Sequence, residues 1–326
     1  MTEPVTGRAG ERADAPTVLA VDIGGTKIAA AVVDGDGRIV ADRRTPTLAQ
    51  ESPEVLWKAL ADLLDAVHAD AGAPPLAGVG VGCVGPMTWP DGEVSPLNVP
   101  AWRRFPLRRR LRERYPGLPV RVHNDAVCVA VGEHWRGAGR GRDNVLGMVV
   151  STGVGGGLVL GGRLVDGASG NAGHVGHIVV EPDGPPCPCG GRGCLEAVAS
   201  GPSLVRWARE RGWRPDDPDA TSADLAADAR AGHRVAAAAL RRAGRAVGVA
   251  LASAVHLCDL DTAVIGGGVS QVGAPLFDAA GETLDAHARM DFARRLRVVP
   301  TALGQASGLI GAAALVLAGD RYWAAD

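Results

Sequence analysis

Apolar runs separated by turn residues predict a three-stranded meander near the start of the chain. Residues 17–21 have the length and composition of a buried strand. A second apolar run, residues 28–33, is followed by the turn sequence Asp-Gly-Asp-Gly at 34–37 and by a shorter run at 38–41. Two such runs joined by an Asp-Gly turn are typical of a β-hairpin. We therefore expect three consecutive strands here.

The pattern then changes to helices and strands in alternation. Ser52 and Pro53 form a typical helix start, and apolar residues follow at helical spacing as far as Val67. A strand is predicted at 77–83, a short basic helix around Leu107 and Leu111, a strand at 120–122 and a helix at 126–135. Such alternation is typical of the α/β class.

The second half of the chain opens in the same way as the first. A strand at 145–151 leads into a Gly-rich turn and another strand, whereas residues 166–196 are irregular and rich in Gly, Pro and Cys. Beyond them the pattern predicts a long Ala-rich helix at 234–256, strands at 262–265 and 296–299, and a closing apolar helix at 307–317. Two Gly-turn hairpins, one in each half, indicate a duplicated architecture.

Composition and charge exclude several classes of protein. The chain has 326 residues, 46% of them apolar, which is enough for two ordinary globular domains. A net charge of −2 gives no reason to expect a nucleic-acid or membrane partner. No apolar stretch reaches the roughly 18 residues of a transmembrane helix. Residues 1–16 are polar and mixed in charge, so we expect a flexible tail, no signal peptide and a cytoplasmic location.

The first Gly turn, at residues 22–27, has the composition of a phosphate-binding turn. Gly24 and Gly25 permit a tight bend and let backbone N–H groups approach an anion. Thr26 adds a hydroxyl, Lys27 adds a positive charge, and Asp22 is placed to hold a hydrated Mg²⁺. The alternative is an ordinary hairpin turn, because Gly-Gly is by itself a strong turn signal.

Two further Gly clusters follow strands. In the second Gly turn, residues 151–157, four glycines in five positions leave the backbone bare, and hydroxyls precede them. Such a turn can surround a terminal phosphate with N–H groups, although a hairpin or bulge is the alternative. The third cluster, residues 266–268, can leave flat space for a purine or serve close helix–strand packing. The phosphate-binding candidates of these two clusters are Ser151, Thr152, Gly153, Gly155, Gly266, Gly267 and Gly268.

Asp125 is the candidate general base. It lies where a strand ends and a helix begins, and its carboxylate can accept a proton from a hydroxyl that attacks a phosphoryl group. The preceding Asn124 offers both a donor and an acceptor, which suits a sugar hydroxyl. The alternative role for Asp125 is to cap the helix that follows, since Asp and Asn are favoured at that position.

One histidine and three cysteines form the strongest local signal. His177, Cys187, Cys189 and Cys194 supply the imidazole and three thiolates of a four-coordinate, structural Zn²⁺ site. A disulfide is the weaker alternative, because three cysteines leave one unpaired and a cytosolic setting is reducing. The other three cysteines of the chain lie in apolar surroundings and are expected in the core: Cys83, Cys128 and Cys258.

Taken in this order, the motifs resemble those of the ROK family (repressors, open reading frames and sugar kinases). The resemblance runs from Val18 to Leu317 and rests on the three Gly clusters, on Asn124-Asp125-Ala126 and on the cysteine-rich stretch with Leu195-Glu196. It implies a two-domain, actin-like (ribonuclease H-like) α/β sugar kinase fold with a zinc-stabilised loop. It also implies that ATP and Mg²⁺ bind in the cleft between the domains.

The resemblance further implies residue roles and a domain division. Asp125 would be the base, and the sugar contacts would be Asn98, Asn124, Asp125, His174, His177 and Glu196. Residues 17–122 would form a small N-terminal domain, with a helix near 305–320 packed back on it. Residues 123–304 would form a larger domain that contains a zinc module at 174–196. A homodimer or homotetramer would be expected.

Two positions depart from the common family pattern. His174 stands where many members have a Glu that contacts the sugar, and His123 stands where Glu is frequent; the sequence assigns His123 no role. The stretch 172–177 resembles N-acetylmannosamine kinases, whereas 97–102 resembles the sugar loop of glucokinases. The expected activity is therefore an ATP-dependent hexose 6-kinase, glucokinase-type, with N-acetylmannosamine kinase as the alternative.

Two other classes are disfavoured. A family repressor carries a helix-turn-helix domain before the first Gly turn, and the 16 residues before the first strand are too few for one. A catalytically silent sugar sensor fits poorly with Asp22 and Asp125 both being present.

Overall fold

The computed structural model describes residues 16–96 and 98–325, so the tail predicted at 1–16 lies outside it except for Pro16. The strands are β1 Thr17–Ile23, β2 Lys27–Val33, β3 Ile39–Pro46, β4 Leu76–Cys83, β5 Met87–Thr88, β6 Glu93–Val94, β7 Val120–Asn124, β8 Val145–Val150, β9 Val154–Leu160, β10 Arg163–Leu164, β11 Thr262–Gly266 and β12 Arg297–Pro300. The α-helices are α1 Pro53–Asp70, α2 Leu107–Arg114, α3 Asp125–Arg136, α4 Leu195–Ala199, α5 Gly201–Glu210, α6 Ser222–Arg230, α7 Arg234–Cys258, α8 Ala274–His287, α9 Ser307–Leu317 and α10 Gly319–Tyr322.

The first sheet brings three strand ends to one level. Its order is β3-β2-β1-β4-β7, and β1 to β3 form the predicted antiparallel meander. Strands β4 and β7 run parallel to β1, and the register pairs Ile23 with Cys83 and Cys83 with Asn124. Residues that follow the carboxyl ends of these strands therefore meet at one edge of the sheet.

The second sheet repeats the topology of the first. Its order, β10-β9-β8-β11-β12, begins with an antiparallel meander of β8, β9 and β10 and continues with two parallel strands. The first Gly turn lies between β1 and β2, and the second lies at the equivalent position between β8 and β9. The duplication predicted from the two Gly-turn hairpins is confirmed.

Helices α3 and α9 cross beside the first sheet at very short range. Helix α3 contacts both sheets, and α9 packs on β1 and β4. A methyl group at Gly311 would lie 1.6 Å from the Cys128 carbonyl oxygen, and one at Gly132 would lie 2.3 Å from the Ser307 carbonyl oxygen. Only glycine permits this approach, because a Cβ at either position would overlap the backbone of the other helix.

A buried carboxylate fixes the same crossing. Glu133 of α3 is fully buried (0% exposed). Its two carboxylate oxygens accept hydrogen bonds from the backbone N–H groups of Ala138, Ala302 and Leu303 at 2.9–3.0 Å and from the Ser307 hydroxyl at 2.7 Å. A buried carboxylate is stable only with such partners, so Glu133 sets the entry of α9 relative to α3.

Two features of the predicted organisation differ in detail. Strand β7 extends to Asn124, past the boundary predicted at residue 122, because His123 and Asn124 continue to pair with Gly82 and Cys83 of β4. Helices α4 to α6 and α8 were not predicted from the apolar pattern. Their apolar faces are completed by other segments, mainly by α7, which packs on all four.

Within the part of the chain described, no helix is both long and apolar enough to cross a membrane.

Candidate active site and metal centre

Two carboxylates lie where the parallel strands of the first sheet end. Asp22 is the sixth residue of β1, and Asp125 follows β7 as the first residue of α3. Burial, and secondly the nearby Asp22 carboxylate, raise the pKa of Asp125 from 3.8 to about 7. Burial also raises the pKa of Asp22, opposed by the positive charges of Lys27 and Arg44. Both side chains keep some solvent access, so a ligand can reach them.

The N-cap of α3, the alternative role predicted for Asp125, is the preceding residue Asn124. The Asn124 side-chain oxygen accepts from the Ala126 N–H at 3.0 Å and is the N-cap of α3. The Asp125 carboxylate accepts from the same N–H at 2.9 Å, which orients it and leaves its second oxygen for another partner. Asn124 is 8% exposed. Because its side-chain oxygen caps α3, its amide nitrogen is the group that a substrate would contact.

The predicted sugar residue Asn98 lies against the first Gly turn. The backbone of this turn is closed by a hydrogen bond from the Gly24 N–H to the Lys27 carbonyl at 3.0 Å, and Thr26 and Lys27 are exposed. A methyl group at Gly25 would lie 2.8 Å from the Asn98 Cβ, so the turn and the residue 98 loop touch. Leu97, the start of that predicted loop, lies outside the described residues.

Helix α9 begins beside the Asp22 carboxylate. A methyl group at Gly308, in the first turn of α9, would lie 3.0 Å from Asp22 Oδ2. The N-terminus of α9, which is the positive end of the helix dipole, therefore lies beside Asp22. The helix dipole favours negative charge at this position. Carboxylate oxygens are the ligands that Mg²⁺ prefers in proteins, usually one or two together with waters and phosphates. Asp22 fits a hydrated Mg²⁺ in this respect.

A cleft of about 680 Å³ opens next to the second Gly turn. Ser151 and Thr152 form one wall, Gly268 and Val269 another, and α5 with the segment before α6 closes it. This volume lies within the range of small-molecule and cofactor sites. Its other lining residues mix apolar and charged side chains: Gly201, Pro202, Val205, Arg206, Arg209, Glu210, Pro218, Asp219, Ala220, Thr221 and Ser222.

Gly155 and Gly267, which are predicted phosphate-binding residues, lie in close contact with other parts of the fold. The second turn spans only residues 151–153, closed by the Ser151 N–H on the Gly153 carbonyl at 2.8 Å. Gly155 lies in β9, where a methyl group would be 2.7 Å from the Ala126 Cβ of α3. Gly267 has a φ of +92°, and a methyl group there would be 2.3 Å from the Val150 carbonyl oxygen. Both glycines therefore permit close packing, which is the alternative raised for the third Gly cluster.

Three of the predicted sugar residues converge beside the second Gly turn. The rings of His174 and His177 stack with centroids 5.2 Å apart. The Glu196 carboxylate accepts from the Val154 N–H at 2.9 Å and lies 2.8 Å from where a Gly153 methyl would be. His174 is exposed, and His177 and Glu196 are partly so. Polar groups from the zinc module and the turn thus face one accessible space.

The four predicted zinc ligands also converge. The ligand atoms of His177, Cys187, Cys189 and Cys194 all lie within 4.8 Å of one another. His177 turns Nδ1 toward Cys187, at 3.8 Å from its Sγ, so Nε2 remains for another partner. Burial and the two neighbouring thiols raise the pKa of Cys194 to about 12. Three clustered thiolates therefore need a cation, and a Cys₃His donor set at this spacing fits Zn²⁺.

Sequence reasoning missed the buried polar groups around the site. Glu133, which fixes the α3–α9 crossing, gave no signal because a lone Glu in an amphipathic helix is ordinarily exposed. Asp166, which bonds the buried His123 at 3.0 Å, lies in a stretch with no periodic pattern. The unusual histidine at position 123 was the one sequence feature that could have prompted a search for a buried partner such as Asp166. The residues of α5 and α6 that line the cleft also carried no motif.

Two sheets of identical strand order, bridged by α3 and each carrying one Gly turn, define the two-domain actin-like class of α/β protein. The chain belongs to the ROK family, since the ROK family model matches residues 18–318. It is 35% identical to a glucokinase of Thermotoga maritima over 92% of this chain and 96% of the relative. It is 36% identical to an N-acetylmannosamine kinase of Citrobacter koseri over 94% of this chain and 100% of the relative.

A solved structure supports the same assignment. The ROK family glucokinase of Streptomyces griseus, solved in complex with glucose and AMPPNP, is 34% identical and superposes with a TM-score of 0.77. The superposition covers 92% of this chain and 99% of that chain. The predicted family and the predicted actin-like sugar kinase fold are confirmed.

Proposed function

We propose that the chain is an ATP-dependent hexose kinase that phosphorylates the 6-hydroxyl of its sugar, with glucose as the preferred substrate. The observation that carries this proposal is Asp125. It directly follows β7, at the edge of the sheet where β1 also ends, it is partly exposed, and burial raises the pKa of its carboxyl to about 7. A general base works best when its pKa lies near the operating pH. Relatives named glucokinase and a neighbour solved with glucose and AMPPNP support the substrate class.

On the acceptor side, Asp125 takes the proton from the sugar hydroxyl. The Ala126 N–H holds one carboxylate oxygen at 2.9 Å, so the other oxygen is the one proposed as the proton acceptor. As the hydroxyl oxygen bonds to the γ-phosphorus, its proton passes to Asp125 and the bond to ADP breaks. Asn98, beside the first Gly turn, and Glu196, beside the second, are the proposed contacts to other hydroxyls of the sugar.

On the donor side, the second Gly turn and the adjoining cleft receive the nucleotide. The cleft beside Ser151 and Gly268 has room for a base and ribose, and apolar side chains such as Val205 and Val269 line it. The phosphates then extend toward the first Gly turn, where Lys27 and the start of α9 favour negative charge. Mg²⁺ held near Asp22 would neutralise the phosphate oxygens and align the γ-phosphoryl group.

The metal centre holds the sugar-binding groups in place. Zn²⁺ bound to His177 Nδ1 would fix that ring and leave Nε2 directed at the substrate, with His174 stacked on it at 5.2 Å. Apart from two isolated β-bridges, Val179–Cys194 and Pro186–Arg192, the 174–196 stretch contains one turn of 3-10 helix, Val175–His177, and the start of α4, so it has little core of its own. A structural zinc ion supplies the folding energy that such a segment lacks.

N-acetylmannosamine kinase is the second candidate, and His174 is the observation that favours it. The imidazole is exposed next to His177 and Glu196, where it presents one donor and one acceptor instead of a carboxylate. The relative from Citrobacter koseri, named N-acetylmannosamine kinase, is as similar to the chain as the glucokinases are.

A panel assay separates these candidates. ADP release is measured with glucose, mannose, N-acetylglucosamine and N-acetylmannosamine, for the wild-type chain and for His174→Glu. We expect glucose to give the highest kcat/KM, and we expect His174→Glu to change the ranking of the sugars while the KM for ATP stays constant. Release of ADP with none of these sugars would refute the proposed function. A higher kcat/KM for N-acetylmannosamine would establish the second candidate.

A further inference from the structure

His123, two residues before the candidate base, forms a buried pair with Asp166. His123 is 1% exposed and Asp166 is 9% exposed. His123 lies in β7 of the first sheet, two residues before Asp125, and Asp166 follows β10 of the second sheet. Their contact, Nε2 to Oδ1 at 3.0 Å, therefore joins the two sheets immediately beside the active site.

The hydrogen bonds fix which ring nitrogen of His123 carries the proton. The Asn124 backbone N–H donates to His123 Nδ1 at 2.8 Å, so Nδ1 is an acceptor without a proton. Nε2 then carries the proton and donates to the Asp166 carboxylate. Each nitrogen of the neutral ring has one partner, and a ring oriented in this way holds both the Asn124 backbone and the Asp166 side chain.

Asp166 begins a loop, residues 166–173, that leads directly to His174. The loop is closed on itself by the Ala172 N–H, which donates to the Asp166 carbonyl at 3.1 Å. At its other end Gly173 lies against β9, where a methyl group would be 2.8 Å from the Gly157 Cα. Asp166 is thus the side chain by which the 166–173 loop is hydrogen-bonded to the strand that carries Asn124.

Trp89 supports the same contact from the first half of the chain. Its ring centroid lies 6.5 Å from that of His123. A methyl group at Gly170 of the loop would lie only 2.3 Å from the Trp89 Cβ. The 166–173 loop is therefore in contact with Trp89 and, through the Asp166 side chain, with His123.

From this geometry, and resting on the kinase function proposed above, we infer that His123 is a positioning residue for the phosphoryl transfer. Its imidazole holds the Asn124 backbone with one nitrogen and, through Asp166, holds the 166–173 loop with the other. The loop in turn places His174 relative to Asp125. The pair takes no part in bond making. It acts by holding the sugar contacts and the base at fixed positions relative to each other.

Two substitutions separate the two contacts of the ring. His123→Asn keeps an acceptor for the Asn124 N–H but is too short to reach Asp166. His123→Gln keeps an N–H donor at the distance of Nε2 but loses the acceptor near the backbone. We expect His123→Asn and Asp166→Ala to raise the KM for the sugar about tenfold or more and to lower kcat, because small misplacements at a reacting centre can cost about a hundredfold. The KM for ATP should stay within about twofold.

The conservative variants test whether the contact itself is responsible. His123→Gln and Asp166→Asn should remain much closer to the wild-type chain, since each preserves one N–H···O contact between the two positions. The double variant His123→Asn/Asp166→Ala should be no worse than either single variant, because the two residues act as one unit. His287→Asn, an exposed histidine on α8, serves as the control and should change nothing.

Hydrogen exchange gives a readout that does not need catalysis. Amide exchange across residues 166–173 should accelerate in His123→Asn and Asp166→Ala, and exchange in α7 should be unchanged. The inference is overturned if loop exchange and the KM for the sugar both stay within twofold of wild type, or if the KM values for sugar and ATP rise together. A wild-type chain inactive on every sugar, but with faster loop exchange in these variants, would instead refute the proposed function alone.

Discussion

Replacement of Asp125 by Asn is expected to abolish most activity and to stabilise the fold. The substitution preserves the shape of the side chain, and the Asn oxygen can still accept from the Ala126 N–H, which lies 2.9 Å from the Asp125 carboxylate. It removes the proton acceptor, for which a loss of about 10²–10⁴ in kcat is typical. It also removes a buried negative charge, and that charge lowers the free energy of unfolding.

The size of that cost follows from the pKa. Burial, together with the Asp22 carboxylate, raises the pKa of Asp125 from 3.8 to about 7. Because one pKa unit corresponds to about 1.4 kcal/mol, the ionised carboxylate destabilises the fold by up to about 4 kcal/mol above pH 7. The raised pKa means that the folded state binds the proton more tightly. The penalty therefore shrinks as the pH falls from 7 toward 3.8, to about 1.5 kcal/mol at pH 5.

Chemical denaturation of the wild-type chain and Asp125→Asn at pH 8 and pH 5, without nucleotide or metal at the active site, measures this difference. We expect Asp125→Asn to be more stable by up to about 4 kcal/mol at pH 8 and by clearly less at pH 5. Asp278→Asn, an exposed carboxylate on α8, is the matched control and should shift neither stability nor activity. ADP release with the best sugar of the panel is measured in parallel.

Two results would refute the reasoning. A gain in stability that is equal at the two pH values would show that charge is not its source, and a loss of stability would show that the carboxylate is held by partners and not strained by burial. Sugar-dependent ADP release at nearly the wild-type rate would remove Asp125 from the role of base.

Three further outcomes are expected. Cys194→Ser should lower the zinc content from about one ion per chain and reduce the thermal midpoint, as metal analysis and calorimetry will show; a wild-type chain without zinc would contradict the metal centre. Gly311→Ala should destabilise by about 3 kcal/mol or more, since its methyl would overlap the Cys128 carbonyl, whereas Gly281→Ala, with open space around it, should stabilise by about 0.5–1 kcal/mol. Glu133→Gln should lower the free energy of unfolding, measured with urea, by about 2–4 kcal/mol, because backbone N–H donors would face the N–H₂ group of the amide. A decrease below about 1 kcal/mol would refute this expectation.

The apolar pattern predicted the elements that carry their own periodicity. Strands β1 and β2, helix α1 and helix α7 match their predicted positions because each buries a continuous apolar face or run. Strand β3 was predicted at 38–41 but spans Ile39–Pro46, because its pairing with β2, and not an apolar run of its own, sets its length. Helices α5 and α6 escaped prediction because they are short and their burial is supplied by α7. The boundary placed at residue 122 fell two residues early, since pairing with β4 and not local composition decides where β7 ends.

The residues of the candidate site also divide into those that could be predicted from local sequence and those that could not. The ligand types of the metal centre and the carboxylate Asp125 could be named from residue chemistry and spacing, because those signals are local. The close packing of Gly155 and Gly267 could not be predicted, since it depends on which remote atoms would lie within 3 Å of a methyl group there: the Ala126 Cβ for Gly155 and the Val150 carbonyl oxygen for Gly267. Glu133 and the His123–Asp166 pair gave no usable local signal, because their partners are remote in the chain: Ser307 for Glu133, and Asp166 for His123.

The sequence by itself determined the fold class, the family, the three Gly clusters and the residue types able to hold zinc and accept a proton. These properties depend on short-range periodicity and on side-chain chemistry, which are written in order along the chain. The tertiary structure alone decided how deeply Asp125 is buried, and therefore its pKa, and which glycines face a cleft or another backbone. It also decided that His123 reaches Asp166. Desolvation and long-range contacts depend on what surrounds a residue in space, and only the packed fold defines that.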